Sequence, residues 1–303
     1  MTGTGTPQAT DKSASGKAAA DATFVPAGAS IGAIIRLVPL DPVETRILLC
    51  YALGLSRIQL ITQSERILAV DEAERLSRLL RRRIEGEPIA YITGEREFFG
   101  LPFHVTPDVL IPRPETELLV ELALERLPEN GRLLDMGTGS GAIATAIAHE
   151  RPDATVTAVD VSEAALTIAR ENASRNLPPN APIAFLQSDW YSALDEHEKF
   201  DLIVANPPYI AAGDEHLAQG DLRFEPPHAL TDHADGLSAL RAIAEGAVLR
   251  LRPGGWLLME HGYDQANAVH GILLGHGYGS VQSWRDLAGI ERVTGGAARV
   301  TTR

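Results

Sequence analysis

The spacing of apolar residues changes several times along the chain. Residues 1–27 are mostly Thr, Gly, Ser and Ala, with almost nothing large to bury. Such a segment cannot offset its ordering entropy and reads as a disordered tail. Residues 28–92 follow a helical pattern. Asp41-Pro42 places an N-cap oxygen before a proline whose missing N–H costs nothing in a first turn. Ile47, Leu48, Cys50, Tyr51 and Leu53 follow, and Gly54 can end the helix. A second helix is expected from near Asp71. Its Leu76, Leu79, Leu80 and Ile84 fall on one face, with Gly86 where a C-terminal cap would sit. Arg75, Arg78, Arg81, Arg82 and Arg83 make its polar face, which reads more readily as solvated than as a partner surface.

The period shortens after residue 92. Phe98-Phe99-Gly100-Leu101-Pro102-Phe103 suggests two short extended segments about a turn. Pro112-Arg113-Pro114 is stiff punctuation, and Leu118, Leu119, Leu122, Ala123 and Leu127 mark a helix. From residue 131 strands and helices alternate. Strands are expected at 132–136, 154–160, 183–187, 201–205 and 255–260, with helices at 142–149, 163–175, 239–251 and 265–274. This alternation means an α/β domain with a parallel sheet covered on both faces.

Charge sharpens the division. The 303 residues carry 27 Lys+Arg against 40 Asp+Glu, a net charge of −13 with His neutral. Residues 28–92 hold 9 basic and 8 acidic residues, whereas residues 93–303 hold 16 basic and 30 acidic. An acidic α/β half opposes a broad grip on nucleic acid, which needs cations against phosphates. Cys50 is the single cysteine, so no intrachain disulfide forms, and a reducing, cytoplasmic location is expected. Neither a run of roughly 18 apolar residues nor a basic-then-apolar leader is visible, so no membrane association is expected. His216, His228, His233 and His261 lack metal-ligand spacing, and His261 reads as a packing residue at a strand end.

Two segments carry candidate chemistry. In Leu133-Leu134-Asp135-Met136-Gly137-Thr138-Gly139-Ser140-Gly141 an apolar strand runs into a glycine loop before a helix. Its G-x-G-x-G spacing differs from the G-x-G-x-x-G of pyrophosphate binders. Asp160 ends the next strand, where a carboxylate suits ribose hydroxyls. Ser188-Asp189-Trp190 ends the third, where Trp190 can stack on adenine and Asp189 can accept from its amino group. Asp135 would welcome a cationic centre. Together these residues favour S-adenosylmethionine over a nicotinamide dinucleotide.

The second segment, Asn206-Pro207-Pro208-Tyr209, leaves the strand at 201–205 at its carboxyl end, where such sheets bind ligands. Proline extends the residue before it and stiffens the loop. The Asn206 side-chain oxygen and the Pro207 carbonyl can each accept one hydrogen of a planar NH2 group, and Tyr209 can lie against its plane. Amide and aryl-amine nitrogens are weak nucleophiles because their lone pairs are delocalised. Two acceptors orient the group and favour the positive charge that develops on nitrogen under attack.

With these segments in place, the chain resembles the release factor glutamine methyltransferases of the PrmC/HemK type over roughly residues 28–303. Further matching stretches are Gly86–Gly94, Phe98–Gly100, Leu110–Glu117, Gly220–Pro226 and Glu260–Gly262. The resemblance implies a class I S-adenosylmethionine-dependent methyltransferase domain at 113–303, with a Rossmann-like, mostly parallel seven-stranded sheet. It also implies a small all-α domain at 28–92 that recognises the substrate, joined through a β-hairpin at 93–112. The implied reaction methylates the side-chain amide of the glutamine in the Gly-Gly-Gln motif of class I release factors, leaving S-adenosylhomocysteine. Asp135, Gly137, Thr138, Gly139, Ser140, Gly141, Asp160, Asp189 and Trp190 would hold the cofactor. Asn206 would touch cofactor and substrate, with Pro207, Pro208 and Tyr209 completing the glutamine pocket; Asn206, Pro207 and Tyr209 are the expected catalytic set. Arg113 and Glu117 fall in a family segment near the cofactor, and Glu225 is expected to order the loop after Tyr209, with Arg223 and Asp221 able to pair nearby. The expected partner is a release factor, with no metal, no direct nucleic acid and a monomeric enzyme. Rival readings are a ribosomal-protein glutamine methyltransferase, a DNA or RNA adenine methyltransferase sharing the Asn-Pro-Pro-Tyr pocket, and a non-catalytic adaptor.

Overall fold

In the computed structural model, residues 25–26 and 28–299 are described. The tail expected at 1–27 lies outside them apart from Val25 and Pro26. Two units divide the chain, Met1–Thr93 and Gly94–Arg303.

The first unit is helical: α1 Ile31–Leu37, α2 Pro42–Leu53, α3 Arg57–Thr62, α4 Val70–Ile84 and α5 Ile89–Thr93. Its caps follow the sequence. The Asp41 carboxylate accepts the Val43 N–H at 2.6 Å, and Gly54 closes α2 in the left-handed region at φ 65°. Ser56 and Gln59 form a reciprocal capping box on α3. α4 begins one residue before Asp71, and the Glu72 side chain takes the Ala69 N–H at 3.0 Å. Its buried Ala73, Leu76, Leu79 and Leu80 meet Ile31, Ile34, Leu48, Leu49 and Leu60 in one core. Val25 is 1% exposed in that core and donates its N–H to Ser77 Oγ at 3.0 Å, so the unit begins before residue 28. Arg83 pairs with Glu44 at 2.8 Å and Arg82 with Glu87 at 2.5 Å, so part of the arginine face is spent inside the unit.

The second unit opens with a hairpin, β1 Glu95–Phe98 and β2 Leu101–His104. Phe99 (φ 51°) and Gly100 (φ 77°) form its two-residue turn, both in the left-handed region that matches strand twist. Glu117 Oε1 accepts the Phe99 N–H at 3.0 Å, which assigns Glu117 to holding this turn. Phe98 and Phe103 are buried in the core of the sheet beyond, with ring centroids 6.1 Å apart and edge-on.

The remainder is α6 Glu117–Arg126, β3 Arg132–Met136, α7 Ala142–Glu150, β4 Thr155–Asp160, α8 Glu163–Asn176, β5 Ile183–Gln187, β6 Phe200–Ala205, α9 Pro227–Leu230, α10 Ser238–Arg250, β7 Leu251–Glu260, α11 Ala266–Gly275, β8 Gly279–Arg285 and β9 Glu291–Ala297. The seven sheet strands run in the order β5-β4-β3-β6-β7-β9-β8. β3 to β7 are mutually parallel, and β9 is antiparallel to both β7 and β8. β3, β4 and β6 are buried on both faces, which explains their unbroken apolar runs. Strand order reverses between β3, which neighbours β4, and β6, so a crevice opens at their carboxyl ends.

Candidate active site

The loop from β3 into α7 bends back over the end of β4. Gly137 and Thr138 both donate their N–H groups to the Val159 carbonyl at 2.9 Å. Gly139 donates to Asp160 Oδ2 at 2.8 Å, while Asp160 Oδ1 takes the Ser162 N–H at 2.9 Å. Each carboxylate oxygen keeps lone-pair capacity for another donor. The glycines serve different ends. Gly139 sits at φ 55° with open space where a Cβ would be, so its backbone is approachable. Gly141 sits at φ 77°, and a Cβ there would lie 2.9 Å from the Ala169 Cβ of α8. It permits close helix packing.

A cavity of about 270 Å³ lies against this loop. Of the residues assigned to the cofactor from sequence, Gly137, Thr138, Gly139, Ser140, Asp160, Asp189, Trp190 and Asn206 line it. Asp135 and Gly141 are absent from the lining. Asp135 is fully buried and accepts the Thr138 hydroxyl at 2.6 Å, shaping the loop from beneath. Burial pushes its carboxyl up to about 7, against the pull of Thr138, with Asp160 adding to the rise. Trp190 is held at φ 48°, with its carbonyl accepting the Ser188 hydroxyl at 2.7 Å. Ser188 Oγ in turn takes the Ala193 N–H at 3.0 Å. Arg113, expected near the cofactor from its family segment, lines the cavity, as do Phe98, Leu110, Thr116 and His228, to which the sequence gave no role in the site.

A second cavity of about 60 Å³ adjoins the first and is lined by Asn206, Pro207, Tyr209, Arg113 and Leu222, among others. Asn206, Arg113, Leu110 and Ala229 belong to both walls. Pro208 faces the larger cavity only. The Asn206 amide donates through Nδ2 to Thr116 Oγ1 at 3.2 Å. The Tyr209 hydroxyl donates to Glu260 Oε1 at 3.3 Å, and the Tyr209 carbonyl accepts from Gln265 Nε2 at 2.9 Å. Burial and the nearby Glu260 push the Tyr209 phenol well above its usual value, so it stays neutral. Gly236 (φ 79°) packs so closely that a Cβ would lie 2.5 Å from the Tyr209 carbonyl oxygen.

Behind both cavities, Glu225 pairs with Arg113 at 2.5 Å and accepts the Ile111 N–H at 3.3 Å. Arg113 and Ile111 are partners that the sequence did not suggest for Glu225. Asp221 bears on the site as a like charge that raises the Glu225 pKa. Asn172 of α8 was also missed. It is fully buried, accepts the His104 N–H at 2.7 Å, and donates to the His104 and Ser140 carbonyls, both at 2.9 Å. His261 is buried between Thr294 Oγ1 at 2.8 Å and the Gly262 carbonyl at 2.9 Å, with its pKa lowered by burial. It is a packing residue, as expected. Among the described residues no cluster could hold a metal, and no helix is long and apolar enough to cross a membrane.

Residues 114–223 match the family model of the methyltransferase small domain, and residues 36–94 match that of the PrmC N-terminal domain. A release factor glutamine methyltransferase of Burkholderia pseudomallei is 54% identical over 279 residues, covering 90% of this chain and 98% of the relative. One from Neisseria gonorrhoeae is 51% identical, covering 86% of this chain and 94% of the relative.

The chain belongs to the release factor glutamine methyltransferase family.

Solved structures place its fold among methyltransferases more broadly. A methyltransferase from Pyrococcus furiosus matches with a TM-score of 0.51 at 22% identity, covering 74% of this chain and 100% of that one. A T. thermophilus 16S rRNA methyltransferase in complex with AdoMet and guanosine matches with a TM-score of 0.51 at 24% identity, covering 68% of this chain and 50% of that one. The mostly parallel seven-stranded sheet expected from the resemblance is the one found, in a family member that carries a methyltransferase domain.

Proposed function

We propose that this family member methylates the side-chain amide nitrogen of the glutamine in the Gly-Gly-Gln motif of class I release factors, with S-adenosylmethionine as donor and S-adenosylhomocysteine as product. One observation carries the reading: Asn206 lines both the large cavity and the small one beside it.

The larger cavity suits the donor. It approaches the lower end of the roughly 300–1,000 Å³ usual for small-molecule sites. The open backbone at Gly139 admits a ligand closely, Asp160 is set to accept ribose hydroxyls, and Trp190 and Asp189 flank the place for adenine. When bound, the donor supplies an electrophilic methyl on a cationic sulfur. Asp135 and Gly141 act on the cavity indirectly, through Thr138 and through the packing of α8.

The smaller cavity suits a planar carboxamide. With Nδ2 bound to Thr116, Asn206 keeps its Oδ1 as an acceptor for one hydrogen of a substrate NH2 group. The Pro207 carbonyl supplies the second acceptor and Tyr209 the flanking ring. Pro207 and Pro208 limit the loop's freedom, so the acceptors stay preorganised as charge develops on nitrogen. A neutral amide also avoids a competing pair with the cationic donor. Residues 28–92, joined through the hairpin, grip the protein substrate, and residues 113–303 carry the chemistry.

Labelled methyl from S-adenosylmethionine should enter purified release factor and map to the Gly-Gly-Gln glutamine by mass spectrometry. Asn206→Ala should lower kcat by about 100-fold or more while donor affinity changes by no more than about fivefold. Label that appears in a ribosomal protein and spares release factor would sink the substrate assignment. Tight duplex binding that collapses with salt would point to a nucleic-acid substrate instead, a reading opposed by the excess of acidic residues in 93–303.

A further inference from the structure

Gln265 stands half-buried just ahead of α11, and its side-chain amide meets three backbone segments beyond the carboxyl ends of the sheet strands. Nε2 donates to the Tyr209 carbonyl at 2.9 Å, after β6, and to the Gly236 carbonyl at 3.2 Å, in the turn before α10. Oε1 accepts the Gly262 N–H at 2.8 Å, after β7. Backbone groups cannot exchange donor and acceptor roles, so these bonds fix which way the amide faces. Val269 and Leu273 seat α11 in the core, which gives the amide a rigid base. Gln265 lines neither cavity.

The turn that brings Gly236 to this amide is itself held. The Asp232 carboxylate accepts the Ala234 and Gly236 N–H groups, both at 2.9 Å, the Ser238 N–H at 2.8 Å and the Ser238 hydroxyl at 2.6 Å. Ile210 and Ala212 donate their N–H groups to the Leu230 and Ala234 carbonyls, both at 3.0 Å. The approach is so close that a Cβ at Gly236 would lie 2.9 Å from Gln265 Nε2.

We propose that Gln265 is a positioning residue for methyl transfer: by holding the Tyr209 carbonyl it sets where the Tyr209 ring stands in the carboxamide pocket. The inference rests on the reading of function above.

The composition of the loop explains why the tie falls on that carbonyl. Pro207 and Pro208 have no N–H to donate, so the centre of the loop cannot be anchored through amide hydrogens. The Asn206 side-chain oxygen and the Pro207 carbonyl are reserved for the substrate. Proline fixes its own φ and extends the residue before it, and neither effect reaches ψ of Tyr209. The far end of the Tyr209 side chain is held by its hydroxyl on Glu260 Oε1 at 3.3 Å. The Gln265 bond holds the near end, at the peptide. Without it the Tyr209 and Gly236 carbonyls lose the donor they share, and the Tyr209 peptide is free to rotate. A misplacement of about 1 Å in an orienting group can cost about 100-fold in rate.

The test compares full-length wild type, Gln265→Glu and Gln265→Met with release factor and labelled S-adenosylmethionine. Gln265→Glu keeps the shape and the bond to the Gly262 N–H, but sets a carboxylate oxygen against two carbonyls. Gln265→Met removes the bonds without opposing them. Gln265→Glu should lower kcat at least about 20-fold, and Gln265→Met by a smaller factor of about five, with donor Kd within about threefold in both. A packing role predicts the reverse order, because Glu is the closer fit. Gln265→Glu within threefold of wild-type kcat, or milder than Gln265→Met, overturns the proposal, as does a donor Kd that weakens in step with kcat. A readout without turnover is the 19F line of Tyr209 in protein carrying 3-fluorotyrosine, assigned by its loss in Tyr209→Phe. The line should move in folded Gln265→Glu protein, and an unmoved line defeats the proposal. A wild type that labels no release factor overturns the reading of function instead, and the 19F line still decides the tie.

Discussion

Arg113 and Glu225, 112 positions apart in sequence, meet at 2.5 Å with the Glu225 side chain wholly out of solvent and Arg113 about one-third exposed. Arg113 lines both cavities, so this pair fixes a shared wall of the candidate site. The carboxylate is held by Arg113 and by the Ile111 N–H against the burial that raises its pKa.

Arg113→Ala strands that carboxylate. Below the normal carboxylate range the group protonates and the loss is small. As pH rises, a folded-state pKa raised above the unfolded value makes folding progressively less favourable. The variant should match wild type most closely near pH 4 and fall short by about 2–4 kcal/mol at pH 8. Urea unfolding at the two pH values checks this, and an equal deficit at both would refute it.

Asp135 tests the same sign without removing a partner. Its carboxyl rises to about 7 on folding, so wild type loses stability as pH climbs from about 4 through 7. Asp135→Asn retains an acceptor for Thr138 and removes the titration. Its stability relative to wild type should improve by about 2–4 kcal/mol between pH 4 and pH 8. Paired denaturant curves read the difference directly.

Asn172 ties the glycine loop to the end of the hairpin. Asn172→Leu leaves the half-buried His104 N–H and carbonyl and the buried Ser140 carbonyl without this partner. A destabilisation of about 3–5 kcal/mol is expected. Donor affinity should also drop by about tenfold, since Ser140 lines the larger cavity. Calorimetry on protein that is folded at low temperature separates the two effects.

Trp190 should behave in the opposite manner. Its ring is part-exposed and faces the cavity, so Trp190→Ala removes a stacking surface worth about 1–3 kcal/mol per base. S-adenosylmethionine binding by calorimetry should weaken by at least about fivefold, with the melting temperature moving by only a few degrees. Unchanged affinity would remove Trp190 from the adenine site.

The parallel strands and their helices were legible because double burial writes unbroken apolar runs into sequence, and the glycine loop was legible because tight turns demand glycine. β8 and β9 were not legible from residue pattern; the seven-strand count came from resemblance. Gly295 and Gly296 look like a turn, yet they lie inside β9. A Cβ at Gly295 would stand 2.5 Å from Leu258 Cδ2 and 2.6 Å from the Leu257 carbonyl. Close approach to β7 explains Gly295, and close approach to Tyr278 and to Val281 of β8 explains Gly296; neither contact has a local signature. Thr116, Asn172 and Glu260 escaped for a related reason. Each is a single polar residue on an otherwise ordinary element, and its meaning comes from partners dozens of positions away.

The contact between Gly141 and Ala169 constrains how this sequence can drift. Any side chain at 141 meets Ala169 at its Cβ, at 2.9 Å, and at its Cα, at 3.0 Å. Shrinking Ala169 to glycine would clear the first obstacle and leave the second, along with the left-handed backbone at φ 77°. No single reciprocal change restores the fit. Across descendants of this chain the two positions should therefore stay fixed together instead of covarying, and a library randomised at both should return the parental pair.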